Sequence, residues 1–192
     1  MTLTLITAST AEPVTLEELR AFGQVDHTDD DALLECLAVA AREFVESSAG
    51  VALPAQTWEL AVRDWPSRII KLPRPPLQAV ESLKHRDAAG NLVTLAENTD
   101  YRVDLAGGAV EPVSAWPRVG DYSDAVQLRF TAGYAGADDV PQRAKLAIMS
   151  LAAFWYDHRN PAEPSDGATR RVPFHVKAML AQLRGGRLEA VA

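Results

Sequence analysis

The chain is nearly devoid of cysteine: Cys36 stands alone among 192 residues. A single thiol excludes an internal disulfide and any multi-cysteine zinc site. No motif around it lowers a thiol pKa, so Cys36 is expected to be a small buried hydrophobe bordering an apolar helical stripe. Histidine is also scarce. His27, His85, His158 and His175 lie in four separate segments, and none has a second ligand at a spacing such as HExxH, which argues against a metal site. GxSxG, P-loop and GxGxxG patterns are missing, and Gly107-Gly108 lacks the following helix that a phosphate cradle needs. Asp157-His158 is no acid–base pair, because neighbours on a helix face different directions; a histidine meeting a helix C-terminus is the plainer reading. No apolar run approaches the ~18 residues of a membrane span, and the first ten residues lack the basic start and cleavage site of a secretory signal. The residues therefore offer no catalytic, cofactor-binding or metal-binding candidate and no membrane partner. An enzyme is not expected, and synthesis in a reducing cytosol is.

Basic residues are rare at the start of the chain. Residues 1–50 hold ten Asp or Glu against only Arg20 and Arg42, whereas residues 168–192 hold five Lys or Arg against Glu189 alone, within a net charge of −7. A protein that grips a duplex wants clustered positive charge, and most of this surface repels phosphate. Two solvated faces of opposite sign explain the split simply; chain ends that meet different partners explain it as well. Apolar residues make up 47% of the chain, enough for a buried core and too many for wholesale disorder.

Helical signals come first. Thr15 and Glu18 form a capping-box pattern ahead of Leu16, Leu19 and Phe22, with Gly23 closing a short helix. Thr28 or Asp29 then caps a longer helix that runs to Gly50. It carries two adjacent apolar lines, Leu33, Leu37, Ala40, Phe44 and Leu34, Ala38, Ala41, Val45. From residue 56 the period becomes two, as in Trp58/Leu60/Val62, Tyr101/Val103/Leu105 and Val126/Leu128/Phe130. Asp87–Asn91 and Gly107-Gly108 read as hairpin turns, and Pro73, Pro75 and Pro76 as a bend or edge. Trp58, Trp65, Trp116 and Trp155 read as packing residues rather than a base-stacking platform, since no basic stripe is interleaved with them. Helix resumes at Pro141. Between Ala144 and Tyr156 only Lys145 and Ser150 are not apolar, the composition of a helix buried on all sides. A Pro- and Gly-containing loop follows, then a last amphipathic stretch from Pro173 that Gly185-Gly186 ends.

The fold class that results is α+β. A helical bundle (1–55 and 135–160) receives an antiparallel β unit (56–134) between its second and third main helices. A loop and basic C-terminal helical tail (161–192) complete the chain.

At Leu128–Tyr134, Asp139-Val140-Pro141, Lys145–Ile148 and Tyr156–Arg159 the chain resembles the head–tail connector proteins, or adaptors, of long-tailed bacteriophages and phage-like gene transfer agents. The shared features are a strand ending in Gly133-Tyr134, a short acidic loop, Val-Pro opening a helix at Pro141, and an apolar helix closing in Tyr156 and Arg159. Val14–Glu18, Asp29–Asp31, the Trp58 strand and Leu72–Leu77 are similar in order, so the likeness covers nearly the whole chain. The resemblance implies a structural virion protein acting at the head–tail junction and made in a bacterial cytoplasm. It implies a homo-oligomeric ring, commonly of twelve subunits, that sits beneath the portal protein, extends the DNA channel and receives the next neck or stopper protein. DNA passes through such a ring without specific binding, and an acidic lining suits that passage because adhesion scales with phosphates neutralised.

Arg170, Arg171, Phe174, Val176, Met179, Leu180, Leu183 and Arg184 are the candidate docking residues toward portal or neighbouring subunit. The segment either packs on its own bundle or docks in helix-in-groove fashion, arginines against carboxylates and apolar residues in a groove. In the second case a chain ending near Gly167 stays folded. The readings that compete with an adaptor are a small nucleic-acid-binding regulator using the basic tail, and another neck component such as a stopper or tail-completion protein.

Overall fold

The computed structural model describes residues 1–158 and 172–185. The chain divides into a β unit, residues 1–10 and 54–135, and a helical unit, residues 11–53 with the described residues from 136 onward.

Eight strands build the β unit: β1 (Thr2–Thr7), β2 (Gln56–Val62), β3 (Ile70–Lys71), β4 (Leu77–Arg86), β5 (Leu92–Leu95), β6 (Tyr101–Asp104), β7 (Ala109–Pro112) and β8 (Val126–Ala132). Five form one antiparallel sheet in the order β1-β2-β8-β4-β5, and three form a smaller antiparallel sheet, β3-β7-β6. Alternation puts Leu60, Val62, Val126, Leu128 and Phe130 on one face of the larger sheet, all buried. Phe130 stands opposite Trp58 on β2 and Val80 on β4, and Leu128 opposite Leu60 and Leu83, so β8 is the spine of the core. The other face is polar. Glu59 accepts from Arg129 at 2.7 Å, and Glu81 accepts from the hydroxyls of Thr57 and Thr131 at 3.1 and 2.8 Å. Register irregularities in β4 between Leu77 and Ala79 and between Val80 and Ser82 re-phase that strand, keeping Leu77, Leu83 and His85 buried.

One part of this unit differs from the sequence expectation. The sequence places residues 1–10 with the helices, but Thr2–Thr7 pairs with β2, Leu3 opposite Leu60 and Leu5 opposite Trp58. Its Thr-Leu alternation is a strand pattern whose partner lies some fifty residues downstream. The stretch Val113–Ala125 has no regular element and is ordered by side chains. Trp65 and Trp116 stack with centroids 4.3 Å apart, and Trp65 Nε1 donates to Pro117 O at 2.8 Å. Trp116 Nε1 donates to Arg68 O at 2.9 Å, and Arg86 pairs with Asp124 at 2.8 Å.

In the helical unit, α1 (Leu16–Gly23) starts on the expected capping box: Thr15 Oγ1 accepts from the Glu18 amide, and Glu18 accepts from the Thr15 amide. The left-handed residue that ends it is Gln24 rather than Gly23. α2 (Asp31–Ala49) ends on Gly50 at φ 73°, where a glycine avoids the Cβ penalty. α3 (Gln142–Asp157) packs against α1, α2 and α4 (Phe174–Gly185). Alanines 38, 41, 144, 147 and 152 are buried and let the axes approach, with Leu34, Val45, Ile148 and Leu151 filling the remaining space. α3 is buried along most of its length, though Leu146 is exposed. Its Lys145 is buried too, with the Asp138 carboxylate 3.9 Å away.

Only one of the two apolar lines on α2 is core. Leu34, Ala38, Ala41 and Val45 are buried, while Leu33 and Ala40 are exposed and Leu37 and Phe44 half-buried. Cys36 is exposed, contrary to the expected buried role. At about 100° per residue it lies two positions past Leu34, beyond the side that α3 and α4 cover.

Candidate assembly surfaces

The residues of the family-like motif divide between the two units. In the β unit, Gly133 follows β8 at φ +111°, and a Cβ there would run into the Pro54 carbonyl. Only glycine fits that crossing without strain. Its amide donates to Pro76 O at 2.8 Å and its carbonyl accepts from Gln78 Nε2 at 2.6 Å. Tyr134 bridges to Pro54 in the parallel sense. In the helical unit, Pro141 is the residue immediately before α3, and its carbonyl takes the amides of Ala144 and Lys145. Tyr156 Oη donates to Asp30 Oδ2 at 2.5 Å, tying the end of α3 to the start of α2. Arg159 lies outside the described residues.

A charged network closes the helical unit. Arg42 on α2 bonds Glu12 at 2.8 Å and Glu46 at 2.9 Å, and Glu46 Oε1 takes the Leu53 amide at 2.8 Å. Burial works against the Arg42 charge, but the bond to Glu12 and the field of Glu46 outweigh it, so its pKa is raised. This network has no local sequence signature beyond the i, i+4 spacing of Arg42 and Glu46; Glu12 is thirty residues away.

On α4 the docking candidates separate. Val176 is fully buried and Leu180 nearly so, within the helical unit itself. Arg184 Nε donates to Ser48 O at 2.6 Å. Met179 and Leu183 are half-buried, and Phe174 is 86% exposed, more than any other large apolar side chain among the described residues. Arg170 and Arg171 lie outside the described residues. With Val176 and Leu180 buried in the helical unit, a chain cut near Gly167 loses part of that unit's packing.

Among the described residues no group of three or more His, Cys, Asp or Glu is placed to hold a metal, and no helix is long and apolar enough to cross a membrane. His85 is buried beside Trp65, ring centroids 6.4 Å apart, and His158 Nδ1 sits 2.8 Å from Phe154 O at the end of α3.

The model of the family described as "head completion protein" matches residues 12–184. The chain belongs to that family. Membership gives it a structural role in head completion, in keeping with an assembly protein built from the elements above. None of the curated proteins matches the chain. Among solved structures it is similar to a chain of the virion of a native gene transfer agent particle, at 26% identity and a TM-score of 0.77 over 97% of this chain and 100% of that one. It is similar to a chain from the neck of the native particle computed with C12 symmetry (26% identity, TM-score 0.75, 96% and 95% covered). A chain from the neck of the empty particle computed with C6 symmetry matches at 26% identity and a TM-score of 0.76, with 96% and 95% covered. These matches span both units, as the divided motif does.

Proposed function

We propose that this head completion protein is a neck subunit of a phage-like particle, an adaptor whose copies form a ring beneath the portal, prolong the DNA channel and receive the next neck protein. The observation that carries the reading is the end-to-end similarity to a chain of a gene transfer agent virion. Necks of that particle solved with twelvefold and sixfold symmetry support a cyclic arrangement of copies. The acidic surplus of residues 11–53 suits a passage that DNA crosses without adhering. A symmetric portal supplies the local concentration that a small folded chain lacks on its own.

Docking on the portal falls to Phe174, which is 86% exposed, to the half-buried Met179 and Leu183 of the same helix, and to the arginines at 170 and 171, which lie outside the described residues. Val176 and Leu180 belong to the core and are withdrawn from that role. Imaging of portal-bearing particles with and without the chain tests the reading. An added ring layer is the expected result; a dimer indifferent to portal overturns it. DNA retention that falls steeply with salt would instead favour the nucleic-acid-binding regulator.

A further inference from the structure

The five-stranded sheet ends at β1 and β5, and each edge presents backbone N–H and C=O groups that no described strand takes up. Natural edges are guarded by a charge, a proline, a covering segment or sheer shortness. β5 is four residues long and leaves the tight Asp87–Asn91 turn, where Asp87 accepts the amides of Ala89 and Asn91. β1 is six residues long and has no such guard. Its sequence, Thr-Leu-Thr-Leu-Ile-Thr, contains neither charge nor proline, and only Leu3 is even half-buried. Held extended by β2, and rich in β-branched residues, it is already in the conformation that a further strand needs.

We infer that β1 receives an extended, uncharged segment of a different chain of the particle by strand addition; the inference rests on the neck reading above. Symmetry selects the occupant. Pairing β1 with β1 of a second copy requires a twofold axis running through the pair, which relates no two neighbouring copies of a twelvefold ring. Pairing β1 with β5 of the next copy continues one sheet around the ring. Sheets twist by about 20–25° per strand, so five strands turn by about 100°. The twelvefold neck of the similar structure allows a twelfth of a turn per subunit. Neither pairing of the two edges of this sheet fits such a ring, and the occupant is a strand from another protein.

The register also states what that strand looks like. Thr2 and Thr4 share a face with Ala61 and Glu59, and Leu3 and Leu5 share the other with Leu60 and Trp58. The added segment therefore alternates small polar residues toward the first face with apolar residues toward the second.

The test places a photo-activatable benzoylphenylalanine at position 4 of the full chain in assembled particles. Irradiation is expected to join it to an alternating, uncharged peptide of a different particle protein, identified by mass spectrometry of the joined peptide. Ile6→Lys, which puts a charge on the exposed edge, should abolish that product while moving the thermal midpoint by only about a few degrees. If Ile6→Lys unfolds the chain, Thr2→Lys replaces it at the strand's first, exposed residue. Joining to another copy of the same chain overturns the inference, as does no joined product in particles whose necks contain the chain. Necks that lack the chain altogether overturn the adaptor reading itself, and imaging tells that failure from the other two.

Discussion

The β unit keeps pairs such as Glu59 with Arg129 and Arg86 with Asp124 partly open to water, whereas the helical unit encloses Arg42 with Glu46. Exposed pairs contribute about 0–1 kcal/mol each, so the β unit stands on its apolar face. An enclosed pair adds little net stability while intact, yet breaking it is costly, because the remaining charge has no water to return to. The comparison teaches where each unit is fragile: the first at its packing, the second at its packing and at one guanidinium.

Phe130→Ala strikes the spine of the larger sheet and is expected to cost about 3–5 kcal/mol, read by denaturant unfolding. Leu151→Ala in α3 should cost about 2–5 kcal/mol. Hydrogen exchange read peptide by peptide would show whether the two losses are confined to their own units. Equal effects on both units would break the contrast.

Arg42→Met leaves Glu46 enclosed without its partner and is expected to cost about 3 kcal/mol. Glu12→Gln, at the more exposed end of the same network, should cost about 1 kcal/mol. A cost for Arg42→Met no larger than that of Arg129→Met, which only opens a surface pair, would erase the distinction between the units.

Gly133→Ala tests the backbone rather than charge. With φ at +111° and the Pro54 carbonyl in the way, a loss of about 1–3 kcal/mol is expected. Gly50→Ala meets no atom within 4 Å and should cost less, through its φ of 73° alone.

The smallest effect is in pH. The hydrogen bond from Arg86 holds the Asp124 carboxyl below its ordinary value of 3.8, outweighing the opposing effect of desolvation. A depressed carboxylate stabilises the fold above the unfolded value, and that contribution is lost as pH falls through the depressed one. Thermal midpoints of the parent and Asp124→Asn should differ slightly at neutral pH and converge below about pH 4. A gap that persists in acid would show that Asp124 acts through geometry, not through its charge.

What the sequence disclosed was local. The Thr15–Glu18 capping box and the Val126/Leu128/Phe130 alternation each lie within a few residues, and both elements formed where they were expected. The choice between the Leu33 and Leu34 lines of α2 was not local, since it depends on where α3 and α4 pack; Cys36 was misplaced for the same reason. Strand β1 and the Val113–Ala125 stretch depend on partners about fifty residues away, β2 for one and Trp65 with Arg68 for the other. Of the assembly residues, Gly133 could be read from its place in a family-like pattern, but not the Pro54 carbonyl that makes it obligatory. The bond from Tyr156 to Asp30 joins residues 126 apart and leaves no trace in either neighbourhood. Tail residues Val176 and Leu180 carry the same amphipathic spacing whether they face their own bundle or a partner, and only the packing distinguishes the two.

The strand order has a consequence for synthesis on the ribosome. β2 and β4 do not touch each other as sheet neighbours; both wait for β8, the last of the described strands to be made and the central one of the sheet. Until Val126–Ala132 has left the exit tunnel, β1-β2 and β4-β5 exist only as separate two-stranded ribbons, which are marginally stable in water. A nascent chain arrested anywhere before that point therefore exposes Leu60, Val62 and Leu83 on unfinished ribbons, and makes a substrate for chaperones and proteases. Completion of one seven-residue strand turns those ribbons into a sheet.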